Sequence, residues 1–170
     1  MITTIISLRM CKILRILVLS DSHGAYRDIE VALERCNDVK KVFFLGDGAS
    51  QVDEIKQFYP DKEFYIVSGN CDILSRFPSY GEAQLCGVKI IYTHGHKYGV
   101  KYGTEQLYET ARNTGASLVL YGHTHIARCE YKDGIYFINP GAIRNAREGR
   151  NGFCVIDITP SGIMPSFLNI

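Results

Sequence analysis

Short apolar runs alternate with amphipathic segments along the first half of the chain. Residues 13–19, 42–45 and 63–68 are rich in β-branched and aromatic side chains and predict three strands. Residues 26–36 predict an amphipathic helix with Ile29, Val31, Ala32 and Leu33 on or near its inner face. Residues 51–59 predict a second, short helix that Pro60 ends. The pattern therefore begins as alternating strands and helices.

Strands dominate the second half of the chain. Residues 81–86 and 88–93 flank Gly87 and predict a tight hairpin. Thr104 is the expected N-cap of a helix that runs to residue 113 and ends near Gly115. Further strands are predicted over residues 117–121, 127–131, 135–139 and 153–159, with turns at residues 133–134 and 139–141. Alternating strands and helices followed by hairpins predict a two-sheet α/β sandwich with helices outside.

Five of the predicted strands end in side chains that can bind a metal ion. The 5 histidines of the chain all lie at such strand ends. Because loops that leave the same edge of an open sheet converge on one crevice, we expect these side chains to lie together. They are Asp21 and His23, then Asp47, Asn70, His94 and His96, and finally His123 and His125.

The chemistry of this set narrows the kind of site. Imidazole, carboxylate and amide groups suit Mn, Fe, Co, Ni or Zn better than Mg or Ca. A closed structural zinc site would favour clustered cysteines, and none occur at these strand ends except Cys71. The sequence therefore predicts a reactive metal centre.

Composition excludes several classes of protein. A chain of 170 residues with 46% hydrophobic and 22% charged residues is typical of one globular domain. A net charge of +1 does not provide a basic surface that would attract nucleic acid or anionic lipid, and no apolar run approaches the roughly 18 residues of a membrane span.

We expect a single domain over residues 10–170, with residues 1–9 an optional or disordered extension and Met10 a plausible start.

The 6 cysteines and the amino-terminal residues indicate a cytoplasmic protein. No CxxC pair is present, and several cysteines lie in strand-like runs as small apolar residues, so we expect reduced thiols. Arg9, Lys12 and Arg15 interrupt the first apolar run, which is not typical of a secretory signal.

The ordered motifs carry a family resemblance. The chain contains Asp21-x-His23, Gly46-Asp47, Gly69-Asn70, His94-Gly95-His96 and Gly122-His123-Thr124-His125 in this order. Together they resemble the calcineurin-like metallophosphoesterase superfamily. The short length and the Gly-Asn-Cys-Asp sequence from Gly69 to Asp72 resemble its small YfcE-type phosphodiesterase branch.

The resemblance implies a four-layer αββα sandwich of two mixed β-sheets and a binuclear metal centre. One metal would be held by Asp21, His23 and His125, the other by Asn70, His94 and His123, with Asp47 bridging both. A shared carboxylate is also expected physically, because two cations about 3.5–4 Å apart repel each other. The expected cofactors are two divalent ions, manganese first, with nickel, iron, cobalt or zinc as alternatives.

The implied reaction is hydrolysis of a small phosphodiester by in-line attack of a metal-bridging hydroxide. His96 is expected beside the phosphate or behind the metal ligands. Cys71 stands where larger phosphatases of the superfamily carry a proton-donating histidine, so we expect a preference for diesters with good leaving groups. Asp72 could replace part of that acid function.

Other interpretations remain open. Arg144 and Tyr98 are candidate substrate contacts, although the basic residues at 144, 147 and 150 also fit a solvated loop. A nuclease would use the same chemistry, but the chain lacks a basic surface. A non-catalytic metal-binding scaffold resembling the retromer subunit Vps29 is the third candidate function. No membrane partner is expected, and a homo-oligomer is an open possibility.

Overall fold

The computed structural model describes residues 13–170, so the expected extension at residues 1–9 lies outside the described part. The first half contains β1 (Leu14–Leu19), α1 (Tyr26–Arg35), β2 (Lys41–Phe44), α2 (Ala49–Ile55), a 3-10 turn (Lys56–Phe58) and β3 (Glu63–Ile66). Each predicted element is present. The second helix begins two residues earlier than predicted, because the backbone N–H groups of Gly48 and Ala49 donate to the side chain of Asp72.

The second half contains seven strands and one α-helix, and the first two of these strands form a hairpin. These elements are β4 (Tyr80–Leu85), β5 (Val88–Thr93), a 3-10 turn (His96–Tyr98), α3 (Glu105–Thr114), β6 (Leu118–Tyr121), β7 (Ala127–Lys132), β8 (Ile135–Pro140), β9 (Gly152–Thr159) and β10 (Gly162–Asn169). β10 is absent from the sequence prediction, because Pro165 argues against a strand. The strand lies at a sheet edge, where proline is tolerated.

The ends of α3 correct one prediction and confirm another. Thr104 occupies the N-cap position but its side chain makes no capping hydrogen bond. Its hydroxyl instead donates to Glu130, 3.3 Å away, across to β7. Gly115 ends the helix in the left-handed conformation with φ of 73°, as its position predicts.

The strands form two mixed five-stranded sheets. The first has the order β10-β9-β1-β2-β3 and the second the order β4-β5-β6-β8-β7. In the first sheet β1, β2 and β3 run parallel, and in the second β5, β6 and β8 run parallel. The predicted hairpin at Gly87 joins β4 to β5, with positive φ at both Cys86 and Gly87.

The core has three apolar layers, which confirms the four-layer αββα sandwich. Alternate residues of β1 show why: Leu17 and Leu19 pack with α1 and α2, whereas Ile16 and Val18 pack between the two sheets. A third cluster, which includes Leu107 of α3, covers the outer face of the second sheet. Because both faces of the central strands are buried, their sequences read as continuous apolar runs. Among residues 13–170, no helix is long and apolar enough to cross a membrane.

Candidate metal centre

The seven predicted metal ligands lie together at the carboxyl ends of β1, β2, β3, β5 and β6. Backbone hydrogen bonds join the loops that follow these strands. The N–H of Asp21 donates to Gly46 at 3.0 Å, and the N–H of Gly122 donates to His94 at 3.1 Å. Each of these bonds joins two loops of the same sheet, and the N–H of His123, which donates to Oδ2 of Asp21 at 3.1 Å, joins the loops of the two sheets. This arrangement follows from parallel strands, whose carboxyl ends share one edge.

The side chains form overlapping groups with the spacing of metal ligands. Within the described residues, Asp21, His23 and His125 form one group, and Asp47, His94 and His123 form another. The ligand atoms of each group lie within 4.8 Å of one another. Asp47 also belongs to a third group, with His23 and Cys71. Asn70 joins the second group, since its Oδ1 lies 3.2 Å from Nε2 of His94.

The position of Asp47 is the geometric feature that a bridging ligand requires. Its Oδ2 lies 3.9 Å from Nε2 of His23 and 3.5 Å from Nε2 of His94, so it faces both groups. Its Oδ1 accepts a hydrogen bond from the N–H of Cys71 at 2.8 Å. One oxygen is thus anchored to the protein, which leaves the other directed between the groups.

Backbone strain is concentrated at this site. Five of the seven predicted ligands have positive φ, between 45° and 69°, a region that non-glycine residues rarely occupy: Asp21, His23, Asp47, His123 and His125. Each strained residue costs on the order of 1–3 kcal/mol, which the surrounding hydrogen bonds must offset. Such clustering is typical of functional sites, where the fold forces side chains to converge.

Two of the histidines are oriented by backbone carbonyls. Nδ1 of His94 lies 2.7 Å from the carbonyl oxygen of Leu45, and Nδ1 of His125 lies 2.9 Å from that of Asn145. Because these nitrogens donate to the carbonyls, Nε2 of each ring presents its lone pair to the centre. The same arrangement orients metal-binding histidines generally.

The donor set fits a divalent cation. Asp21 is fully buried, and its Oδ1, which accepts no backbone or hydroxyl hydrogen bond from the described residues, lies 3.1 Å from Nε2 of His125. Its Oδ2 accepts from Ser20 at 2.5 Å and from the N–H of His123 at 3.1 Å. A buried carboxylate oxygen surrounded by imidazole lone pairs is costly unless a cation compensates it. These residues therefore match the requirements of a metal ion.

The protonation states at the site support the same chemistry. Burial lowers the pKa of His123 to about 4, so its ring is neutral and able to act as a ligand at pH 7. Burial by itself raises the pKa of Asp21, but the contacts with His125, His94 and Ser20 bring it below its ordinary value. The Asp21 carboxylate in turn raises the pKa of His125. Asp21 is therefore available as an anionic ligand.

Asp72 has a different role from the one expected. Its Oδ2 accepts from the N–H groups of Asp47 and Gly69, both at 2.8 Å. Its Oδ1 accepts from those of Gly48 and Ala49 at 2.9 and 3.0 Å. A carboxylate has about four lone-pair sites, and here all are used, so no position is left for a transferable proton. The observed role of this carboxylate is to fix the loops after β2 and β3, and its contacts give no support to the suggested acid function.

Gly69 permits the close approach of those two loops. A Cβ atom at this position would overlap Oδ1 of Asp47 and lie 2.6 Å from its backbone nitrogen. Cys71, two residues later, is exposed and accepts a 3.3 Å hydrogen bond from the side chain of Asn70. Burial and the carboxylate of Asp47 raise the pKa of Cys71 to about 11.

Asn139 contributes to the site in a way that the sequence prediction missed. The Asn-Pro-Gly segment was expected to be only a turn, but Asn139 is fully buried at the end of β8. Its Nδ2 donates to the carbonyl of Gly122 at 2.9 Å and to Oγ1 of Thr124 at 3.1 Å. It therefore supports the loop that carries His123 and His125. The only sequence signal was its position after an apolar strand.

The remaining candidates lie around the ligand cluster. The ring of His96 is centred 5.4 Å from that of His94, beside the second group. Tyr98 packs against the apolar cluster between α3 and the second sheet. Arg144 is exposed, and its N–H donates to the carbonyl of Asp21 at 3.2 Å. Neither Tyr98 nor Arg144 lines the cavity of about 510 Å³ beside His23, Asp47 and Cys71.

Comparison with known proteins identifies the family. A model of the calcineurin-like phosphoesterase superfamily domain matches residues 14–161. The chain belongs to the calcineurin-like phosphoesterase superfamily. A probable metallophosphoesterase of Bacillus subtilis, YsnB, is 34% identical over 139 residues, which cover 81% of this chain and 79% of that protein.

Members and structural neighbours include both enzymes and a sorting protein. Vacuolar protein sorting-associated protein 29 of Schizosaccharomyces pombe is 37% identical over 81 residues, or 48% of this chain and 43% of that protein. A predicted phosphoesterase from Streptococcus pneumoniae aligns with a TM-score of 0.82 at 29% identity, covering 93% of this chain and 90% of that one. An archaeal phosphodiesterase, with a TM-score of 0.69 at 22% identity and coverage of 91% and 100%, shares the fold.

Proposed function

We propose that this protein is a metal-dependent phosphodiesterase that acts on small diesters. The observation that carries the proposal is the position of Asp47, whose Oδ2 lies 3.9 Å from His23 of one ligand group and 3.5 Å from His94 of the other, in a chain of the calcineurin-like phosphoesterase superfamily. The name of the archaeal neighbour supports the diester as substrate. A net charge of +1 disfavours a nuclease, since phosphate-backbone binding relies on basic surface.

The residues of the chain have distinct roles in this proposal. Asp21, His23 and His125 would hold one divalent ion, while Asn70, His94 and His123 would hold the other, with Asp47 between them. When bound, the ions supply an activated water and polarise the phosphoryl oxygens. Two divalent ions and two aspartates leave a charge of about +2, which attracts an anionic phosphoester.

The protein fixes this geometry before substrate arrives. Carbonyl groups of Leu45 and Asn145 orient two imidazoles, and the Asp72 carboxylate holds the backbone of Asp47. Preorganised ligands of this kind spend no energy on rearrangement during the reaction. Cys71 lies at the cavity wall, where a thiol is a weaker proton donor than imidazole at neutral pH. Diesters with good leaving groups are therefore the proposed substrates.

The experiment combines metal analysis with hydrolysis of bis(p-nitrophenyl) phosphate, with and without added Mn²⁺. We expect about two ions per chain and turnover that depends on the metal. His123→Ala and Asp47→Asn should lose turnover to background while circular dichroism remains unchanged. Asp61→Asn is the matched control, because that side chain is 85% exposed. Full activity in both site variants would refute the binuclear assignment.

A metal-binding scaffold is the second candidate function. Its support is the similarity to vacuolar protein sorting-associated protein 29 over 48% of the chain. Protein that stays metal-free and inactive after addition of Mn²⁺ would favour this alternative. Metal binding without hydrolysis of any aryl phosphoester would do the same.

A further inference from the structure

One cavity opens directly on the candidate metal centre. It has a volume of about 510 Å³, within the range of ligand pockets. His23, Asp47 and Cys71 line its inner end, and these three also form one of the potential metal-binding groups. A phosphate held at the centre would therefore direct one of its ester substituents into this cavity.

The outer wall of the cavity presents two apolar side chains to solvent. Ile73 is 84% exposed and Leu74 is 99% exposed, in a loop that lines the cavity. Leu74 has a φ of 61°, a conformation that is unfavourable for a leucine. Backbone strain and exposed apolar surface at the mouth of a site both indicate a binding role.

The loop is anchored at both ends, so this apolar tip is held in place. The side chain of Asp72 accepts four backbone hydrogen bonds on one side of the tip. On the other side, the hydroxyl of Ser68 donates to the carbonyl of Phe77 at 3.1 Å. The exposure of Ile73 and Leu74 is therefore a feature of a fixed loop and would cost little ordering on binding.

The charged groups that line the cavity away from the metal ligands are each engaged by neighbouring groups of the protein. Asp53 lies 2.5 Å from the guanidinium of Arg76, the cation among the lining residues, and 2.7 Å from the ammonium of Lys56, which does not line the cavity. The carboxylate of Asp72 is fully used by backbone donors. No unpaired cation among these lining residues is available to a second anionic group. The cavity is therefore suited to an uncharged substituent.

We propose that this cavity binds an uncharged, ring-bearing ester group of the substrate, with Ile73 and Leu74 as the specificity-determining contacts. The inference rests on the proposed phosphodiesterase function and names its substrate class. Aryl and nucleoside esters fit this description, whereas esters whose organic group carries a further phosphate do not. The two aliphatic side chains would cover one face of the ring and lose solvent-exposed surface on binding.

The test measures binding apart from turnover. Calorimetric titration in the presence of Mn²⁺ compares diphenyl phosphate with dimethyl phosphate, for the unmodified protein and for the Ile73→Ser/Leu74→Ser double variant. We expect diphenyl phosphate to bind more tightly than dimethyl phosphate, and the variant to weaken only the former, by about tenfold. Met164→Ser, which is 54% exposed on the distant edge strand, is the matched control.

A second arm tests the charge argument with thymidine 5′-p-nitrophenyl phosphate and its 3′-phosphorylated form. We expect kcat/KM to be about tenfold higher for the form without the second phosphate. The inference would be overturned if diphenyl phosphate and dimethyl phosphate bound with equal affinity. It would also be overturned if Met164→Ser weakened the binding of diphenyl phosphate as much as the double variant does, or if kcat/KM were higher for the 3′-phosphorylated ester. Tight, variant-sensitive binding of diphenyl phosphate without turnover would support the cavity assignment and refute the proposed hydrolysis.

Discussion

Replacing Asp72 by asparagine tests whether a carboxylate that binds no metal holds the candidate site together. Asparagine keeps one acceptor oxygen for two of the four backbone N–H groups and turns its amide NH₂ towards the other two. Each buried donor left without a partner costs about 1–3 kcal/mol. Because Asp72 is partly exposed, water compensates some of this loss, and we expect a destabilisation of about 2–3 kcal/mol in total.

Urea denaturation measures this change, and thermal unfolding should show a midpoint lower by about 5–10 °C. The affinity for Mn²⁺ should also fall, because the N–H of Asp47 is one of the two donors to Oδ2. Asp61→Asn removes an exposed carboxylate whose neighbouring ammonium, on Lys40, is 3.8 Å away, and should change stability by less than about 0.5 kcal/mol. If Asp72→Asn lowers the free energy of unfolding no more than Asp61→Asn does, the role assigned to the Asp72 carboxylate is refuted.

Three further predictions concern the site and the first sheet. Asn139→Ala removes two donors to the loop of His123 and should cost about 2–3 kcal/mol in urea unfolding; an unchanged midpoint would contradict the bracing role. Cys71→His should raise the ratio of kcat for phenyl phosphate to kcat for p-nitrophenyl phosphate by about tenfold or more, because a histidine protonates a poor leaving group better than a thiol does. An unchanged ratio would show that protonation of the leaving group by residue 71 does not limit the rate. The guanidinium of Arg15 lowers the pKa of Asp157, so this pair stabilises the folded state above about pH 4 and the contribution is lost as pH falls further. The difference in urea midpoint between wild type and Asp157→Asn should therefore shrink from pH 7 to pH 3, and a constant difference would contradict it.

Much of the fold is readable from the sequence because the central strands are buried on both faces. Leu17 and Leu19 face the helices while Ile16 and Val18 face the other sheet, so β1 appears as one apolar run. The limits of α2 and the existence of β10 were not readable. The start of α2 depends on hydrogen bonds from a loop more than twenty residues away, and β10 tolerates a proline only because it lies at an edge.

The sequence by itself determined which side chains follow the strands, because those positions are set by local pattern. It placed Asp21, Asp47 and His123 at strand ends, and the topology of parallel strands brings such ends to one edge. Only the tertiary structure decided that the carboxylate of Asp72 holds backbone N–H groups of the loops after β2 and β3, and that Asn139 supports the loop that carries His123 and His125. Both roles consist of hydrogen bonds to residues distant in the chain, and a local pattern carries no information about which distant N–H or carbonyl group a polar side chain will meet.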